Sequence, residues 1–191
     1  MTDSHGKATP HMDHPTTLDP RLFTHEARAA ATAWRDHDWP QVRAHLHRTN
    51  PFGSRTHATT TRLASELLAR LSHLTGPELD HLATCDGPDA THLTWVALLR
   101  RNTLVHDFAF VLADARITRR PRTTHTVDRF LTRQALWHAS IDDLPPTRRA
   151  ALITALITAA RNAHLLTHDG TIHRPLLTPR LHDLLTPAQN T

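Results

Sequence analysis

The sequence contains few of the residues that turn-rich β folds require. Among 191 residues there are five glycines and no tyrosine, and aromatic residues make up 5% of the chain. β sandwiches and barrels need frequent tight turns and strands rich in aromatic or β-branched side chains, so the composition argues against both classes. Alanine, leucine, arginine and threonine dominate instead. We therefore predict an all-α fold, a compact bundle of several helices.

The chain also lacks the features of secreted and membrane-spanning proteins. Its single cysteine, Cys85, excludes an internal disulfide and fits a reducing compartment. The first twenty residues are polar and contain no apolar signal segment. The longest apolar run, residues 150–160, is interrupted by threonines and is shorter than the about 20 residues that a membrane-spanning helix needs. We expect a cytoplasmic protein without a membrane segment.

Sequence motifs for catalysis, metal binding and cofactor binding are missing. The five glycines, at positions 6, 53, 76, 87 and 170, are too scattered to form a phosphate-binding loop. There is no Cys-x-x-Cys, no His-Glu-x-x-His and no glycine-flanked serine. With only three glutamates, a pair of catalytic carboxylates would have to come from scattered aspartates. The sequence predicts a protein that is not an enzyme and that needs no metal or cofactor.

Positive charge is supplied almost entirely by arginine, since Lys7 is the only lysine. The formal net charge is +4 and the pI is about 10.8. Arginines also cluster locally, most densely in residues 116–122, where four arginines occur without an acid. Because Pro121 interrupts this segment, we predict a basic loop. Clusters of this kind are typical of surfaces that bind phosphate groups.

Residues 50–74 are predicted to form a turn followed by a long amphipathic helix with Ser54 as its N-cap. Leucines recur at helical spacing from Leu63 to Leu74, which predicts a buried stripe. A preceding helix over 39–47 completes a helix-turn-helix outline, although helical hairpins without DNA-binding activity share it. The polar face opposite the leucines carries Arg55, Thr59, Arg62, Glu66 and Arg70.

A second basic element is predicted near the C-terminus. A helix over 147–164 starts with Arg148 and Arg149, where the helix dipole favours an anion. Asp169-Gly170 lies between short alternating runs, which predicts a β-hairpin with a two-residue type I′ turn. A helix followed by such a hairpin is typical of a winged helix. The predicted wing carries His168, His173 and Arg174.

The remaining helices divide the chain into predicted subdomains. Two central helices, 89–101 and 104–115, are apolar nearly all round and are expected to be buried. A helix over 125–137 is expected to turn Leu136 inward. The predicted divisions are a disordered tail (1–20), an N-terminal helical subdomain (21–115), a C-terminal winged-helix-like subdomain (116–186) and a frayed end (187–191).

Short motifs along most of the chain follow the order and spacing of a known family. They begin with Glu26-Ala27-Arg28 and end with Asp169-Gly170-Thr171-Ile172 ahead of Leu176-Leu177. The motifs between these ends are Trp39-Pro40-Gln41-Val42-Arg43, Asn50-Pro51-Phe52, Leu67-Leu68-Ala69-Arg70-Leu71, Leu98-Leu99-Arg100-Arg101, Asp107-Phe108, Trp137-His138, Thr147-Arg148-Arg149 and Leu165-Leu166. In these motifs the sequence resembles the BrxA family, the small subunit of BREX bacteriophage-exclusion systems.

The resemblance covers about residues 22–186. It implies an all-helical nucleic-acid-binding accessory protein of phage defence, with some fold similarity to the antitermination factor NusB. The histidine-rich leader has no counterpart in the family, and arginines replace the lysines of its basic helices. Arginine keeps the charge and adds bidentate phosphate contacts, so the second difference preserves binding.

Together these observations predict a protein that binds double-stranded DNA mainly through phosphates, with low sequence specificity. Two alternatives stay open, a scaffold or adaptor for other BREX components and an RNA-binding protein. We rank RNA lower because the chain has few aromatic side chains on which single-stranded bases could stack. The candidate contact residues are Arg55, Thr59, Arg62, Arg116, Arg119, Arg120, Arg122, Arg148, Arg149, His168 and Arg174.

Overall fold

The computed structural model describes residues 17–117 and 124–186, and this part of the chain contains ten helices. The helices are α1 (Thr24–Trp34), α2 (Trp39–Thr49), α3 (His57–Leu71), α4 (Gly76–Thr84), α5 (Gly87–Arg101), α6 (Thr103–Ile117), α7 (Thr124–Ala135), α8 (Ala139–Asp142), α9 (Pro146–Asn162) and α10 (Pro179–Leu185). The predicted all-helical fold is confirmed. Within the described ranges, none of the helices is long and apolar enough to cross a bilayer.

Helices α1 to α5 share one hydrophobic cluster, which we call the N-terminal cluster. The predicted leucine stripe of α3 is confirmed, because Leu63, Leu67 and Leu71 are all buried there. Helix α2 precedes α3 across a tight turn and packs against it, so the predicted helix-turn-helix outline is present. Leu181 of α10 also belongs to this cluster. The C-terminal helix therefore packs back on the first half of the chain.

Helices α6, α7 and α9 share a second cluster, which we call the C-terminal cluster. Helix α5 contributes to both clusters, with Leu93 in the first and Leu98 in the second. The segment before α1 also joins them, because Leu22 packs in the C-terminal cluster and Phe23 in the N-terminal cluster. The predicted subdomain boundary at 115/116 stays a prediction, and α6 packs with the helices that follow it.

Arg70 lies inside the fold, so its predicted position on the solvent face of α3 is wrong. Only 1% of the residue is exposed. Its Nη1 and Nη2 atoms donate to the backbone carbonyls of Arg21 and Asp19, and Nε donates to the Glu66 carboxylate at 2.8 Å. A buried guanidinium is tolerated because its donors are used. Arg70 therefore fastens the segment before α1 onto α3.

Ser54 is not the N-cap of the long helix, as the sequence had suggested. Helix α3 begins at His57, and Thr56 is its N-cap, accepting a hydrogen bond from the Thr59 backbone at 3.2 Å. The Ser54 hydroxyl is instead engaged with the side chains of Asn50 and Thr60. Asn50 closes α2 in the left-handed region at φ 42° and also bonds the Ser54 backbone. The hydrogen bonds with Asn50 hold Ser54 in the turn, so α3 begins after Ser54, at His57.

The predicted β-hairpin wing is reduced to a turn. In the described residues no strand forms, and one isolated antiparallel bridge joins Leu166 and Ile172. The type I′ prediction is also wrong, because Gly170, at φ 87°, is the only turn residue with positive φ. Thr167 N–H donates to the Thr171 carbonyl and Gly170 N–H to the Thr167 carbonyl. A three-residue loop with glycine in the left-handed region fits these bonds.

Three large apolar side chains on α6 and just after α7 are exposed, and the sequence pattern had assigned two of them, Phe110 and Leu136, to the interior. Helix α7 ends at Ala135, so Leu136 lies beyond it and is 74% exposed. Trp137 is 78% exposed. Phe110 on α6 is also exposed, so this helix is not buried all round.

Candidate nucleic-acid interface

Three adjoining clefts cross the described surface. The N-terminal cleft, of about 520 Å³, lies against the segment before α1. The central cleft, of about 640 Å³, lies beside the end of α9 and the 167–171 turn. The apolar cleft, of about 600 Å³, lies between α6 and residues 172–177. The first two share Arg161, Asn162 and His164, and the last two share His173. Each pair of neighbouring clefts therefore adjoins the same side chains.

The central cleft is lined without any acidic residue among those described. Its lining residues are Thr158, Arg161, Asn162, His164, Leu166, Thr167, His168 and His173. Arg161 is half-buried, and its Nε atom is buried without a hydrogen-bond partner in the described part of the chain. Its Nη2 donates a long hydrogen bond of 3.4 Å to the His168 carbonyl. Arg161 thus holds a positive charge in the cleft that no carboxylate of the described residues pairs with.

Asp169 lies in the turn beside this cleft, and its carboxylate is committed locally. The hydroxyl of Thr167 donates to it, and so do the backbone N–H and hydroxyl of Thr171. These hydrogen bonds hold the pKa of Asp169 below its ordinary value, with the Thr167 bond contributing most. The ionised carboxylate shapes the turn.

Arg116 and Arg174, which are 58 positions apart in the chain, line the same apolar cleft. Both are exposed, and neither makes an ion pair or hydrogen bond with any described residue. His173 and His182 line the cleft as well. Among the described lining residues there is no carboxylate. Of the candidate residues predicted from sequence, these two arginines are the clearest pair that the fold brings together.

The candidates on α3 and just before it lie outside the three clefts. Arg55 and Arg62 are exposed and unpaired within the described chain, so both remain free to contact an anion. The Thr59 hydroxyl accepts a 2.8 Å hydrogen bond from Thr56 and is part of the start of α3. Phe52, three residues before Arg55, lines the N-terminal cleft.

At the start of α9 the two arginines differ. Arg149 is paired, since its Nε donates to the Asp128 carboxylate at 2.7 Å and its Nη2 to the Thr132 hydroxyl at 2.8 Å. Arg148 is exposed and makes no pair with the described residues. The argument for unpaired cations at this helix start therefore holds for Arg148 alone. Arg149 braces α9 against α7.

The remaining candidates, Arg119, Arg120 and Arg122, lie outside the described residues. Conversely, Arg161 and His164 line the clefts and were missed from sequence. A signal was available, because the run Arg161-Asn162-Ala163-His164 ends a helix immediately before the predicted hairpin. Among the described residues there is no group of three or more histidine, cysteine, aspartate or glutamate side chains that could hold a metal ion.

The fold and this surface define a class, an all-helical protein whose described surface has acid-poor clefts and unpaired arginines. The particular family follows from a comparison of sequences. Residues 18–188 match the BrxA family model, and the chain belongs to the BrxA family. This membership identifies a BREX-associated defence protein. No curated protein matches the chain with significant similarity.

Proposed function

We propose that the chain is a non-enzymatic accessory protein of a BREX system that binds double-stranded DNA in the cytoplasm with low sequence specificity. One observation carries the proposal: three adjoining clefts present arginine and histidine side chains, and Glu26 is the only carboxylate among their described lining residues. A surface of this kind attracts a polyanion.

The contacts that this surface offers suit phosphates better than base edges. Arginine binds phosphate through two parallel N–H donors, and such contacts fix position without reading sequence. Arg161, Arg116 and Arg174 supply three contacts along the clefts. Three further candidates, unpaired within the described chain and outside the three clefts, are proposed as additional phosphate contacts: Arg55, Arg62 and Arg148.

The salt dependence of affinity tests the proposal. Six phosphate contacts predict a slope of about −5 when the logarithm of the affinity for a short duplex is plotted against that of salt concentration. A variant with Arg116→Glu, Arg161→Glu and Arg174→Glu should bind the duplex well over tenfold more weakly, because about three phosphate contacts are lost. A flat salt dependence would contradict phosphate binding.

A matched control separates a specific surface from general positive charge. Arg101, Arg129 and Arg133 are exposed and line none of the three clefts. Reversing these three charges changes net charge equally and should weaken binding less than the cleft variant. If both variants lose the same affinity, the clefts are not the binding surface. Competition with single-stranded DNA and RNA distinguishes duplex binding from the RNA alternative.

A second function, as an adaptor for other BREX components, is favoured by a separate observation. Leu136 and Trp137 form an exposed apolar pair at the end of α7. Exposed tryptophans are enriched among the residues that dominate protein–protein binding energy. If the chain acts as an adaptor, Trp137→Ala should abolish co-purification with another BREX component while leaving duplex affinity unchanged.

A further inference from the structure

The apolar cleft has a lining unlike that of the central cleft. One wall is a single face of α6, where Ala109, Leu112, Ala113 and Arg116 follow each other at helical spacing. The facing wall comes from Leu165 and residues 172–177, and His182 of α10 lies at the edge. The lining of the cleft is thus mostly apolar, and we call this apolar part its floor. Each wall carries one arginine, Arg116 on α6 and Arg174 in the facing segment.

The α6 wall of the cleft includes two small side chains, Ala109 and Ala113. Leu176 lines the cleft although it is 81% exposed. A concave apolar surface of about 600 Å³ falls in the range of small-molecule binding sites.

The rim of the cleft is cationic. Arg116 and Arg174 have no ion-pair partner among the described residues, whereas His182 lies 3.7 Å from the Asp183 carboxylate. The two arginines are therefore the anchors that remain for an anionic group. DNA does not match the whole site, because phosphates are polar and the described lining is mostly apolar, without phenylalanine, tyrosine or tryptophan on which a base could stack.

We propose that the apolar cleft binds a small anionic amphiphile, a molecule with one carboxylate or phosphate head and an apolar body. The head contacts Arg116 and Arg174, and the body packs against Leu112, Leu165 and Ile172. Charge complementarity selects the anion, and the apolar floor selects the body. Since the same two arginines belong to the proposed DNA surface, the ligand should also compete with duplex DNA, and this second effect rests on the proposed function.

Calorimetric titration of the full chain tests the site, with decanoate and decyl phosphate below their micelle concentrations and decanol below its solubility limit. Decanoate or decyl phosphate should bind one per chain, and decanol should bind about tenfold more weakly or worse because it lacks the charged head. Whichever anion binds more tightly identifies the head group. Equal binding of decanol and the anions would overturn the proposal.

Two variants locate the binding. Ala113→Trp should fill the cleft and abolish binding of the anion, and Arg116→Gln with Arg174→Gln should weaken it about tenfold. Ala151→Trp, at another exposed helical alanine that lines none of the three clefts, is the matched control and should bind normally. Thermal unfolding checks that each variant folds. Undiminished binding by the folded Ala113→Trp variant would overturn the assignment.

Duplex affinity measured without amphiphile separates the two proposals. Binding of decanoate by a chain that does not bind DNA would refute the DNA-binding function and leave the ligand site standing. Duplex binding without any amphiphile binding would refute the ligand site alone. Where both bind, saturating decanoate should lower duplex affinity, and unchanged affinity would refute the competition.

Discussion

The hydroxyl of Thr178 donates a 2.6 Å hydrogen bond to the buried carboxylate of Asp89. Nε2 of His81 lies 3.0 Å from the same carboxylate, so helices α4 and α5 and the start of α10 meet at one charge. Burial raises the pKa of Asp89, but the hydrogen bonds from Thr178 and His81 outweigh it and hold the pKa below its ordinary value. The C-terminal helix is therefore fastened through an ionised carboxylate.

Thr178→Val should release α10 from α5. The change removes the hydroxyl that donates to Asp89 and also caps α10, and we expect unfolding free energy to fall by about 1–3 kcal/mol. Hydrogen exchange should accelerate most at amides 181–185. Thr178→Ser keeps the hydroxyl and should restore protection. If serine and valine behave alike, the hydroxyl is not what fastens the helix.

The buried Glu78 should make stability sensitive to acid. Its carboxylate accepts bonds of 2.6 and 2.8 Å from Arg100. Burial raises the pKa of Glu78, but hydrogen bonds from Arg100 and the Thr75 backbone outweigh it, so the pKa is lowered from 4.5. The resulting stability is present above pH 4.5 and is lost as pH falls through the folded-state pKa.

Glu78→Gln should cost about 2 kcal/mol at neutral pH, since the charged hydrogen bonds are lost. The difference from wild type should shrink as pH falls below 4.5, measured by urea unfolding at several pH values. Asp183→Asn, at an exposed carboxylate, serves as control. A difference that does not change with pH would contradict the role of the Glu78 charge.

The buried His92 should make the free energy of unfolding depend on pH a second time, nearer neutral pH. Burial lowers its pKa from 6.5, although the neighbouring Asp89 opposes this effect, and Nδ1 has no hydrogen-bond partner among the described residues. As pH falls, His92 is therefore protonated at a higher pH in the unfolded chain than in the folded protein. The contribution to stability is full above pH 6.5 and is lost as pH falls.

Replacing His92 with glutamine should flatten the stability profile below pH 6.5, by at most about 1.4 kcal/mol per pH unit, the slope for one proton. Denaturant unfolding between about pH 5 and 8 measures this. His182→Gln, at an exposed histidine, is the control variant. If His92→Gln keeps the wild-type slope, burial of His92 does not couple protonation to folding.

Arg148 and Arg149 should differ in what their loss affects. Arg149→Ala removes the pairing with Asp128, which is partly exposed, and should cost about 1 kcal/mol. Arg148→Ala should leave unfolding free energy unchanged and weaken duplex binding, because the free guanidinium is one proposed phosphate contact. Chemical unfolding and duplex titration of both variants measure the two effects. The opposite pattern would reverse the assigned roles.

Local features of the fold were predictable from sequence, whereas contacts between distant segments were not. The start of α2 depends on residues three positions apart: the Asp38 side chain accepts a hydrogen bond from the Gln41 N–H, and the Gln41 side chain accepts one from the Asp38 N–H. The leucine period of α3 likewise depends only on neighbouring residues. Arg70 was misplaced because its burial depends on carbonyls 49 and 51 positions earlier. Helical period alone assigns a charged side chain to solvent.

The candidate site shows the same division. Clustering of arginines was visible in the sequence, but which of them are free was not, because Arg149 finds its partner on another helix. Arg161 was missed for the converse reason. In the sequence it resembles an ordinary arginine at the C-terminal end of a helix. The structure shows that it lies beside the 167–171 turn and that its Nε atom has no partner among the described residues.

The buried guanidinium of Arg70 determines how far the protein can be shortened for expression. A fragment that starts at Thr24 would leave two donors without acceptors inside the fold and remove Leu22 and Phe23 from the two clusters. During synthesis, residues 19 and 21 leave the ribosome about 50 residues ahead of the side chain that binds them. The segment before α1 therefore cannot pack in its final position until α3 has been synthesised.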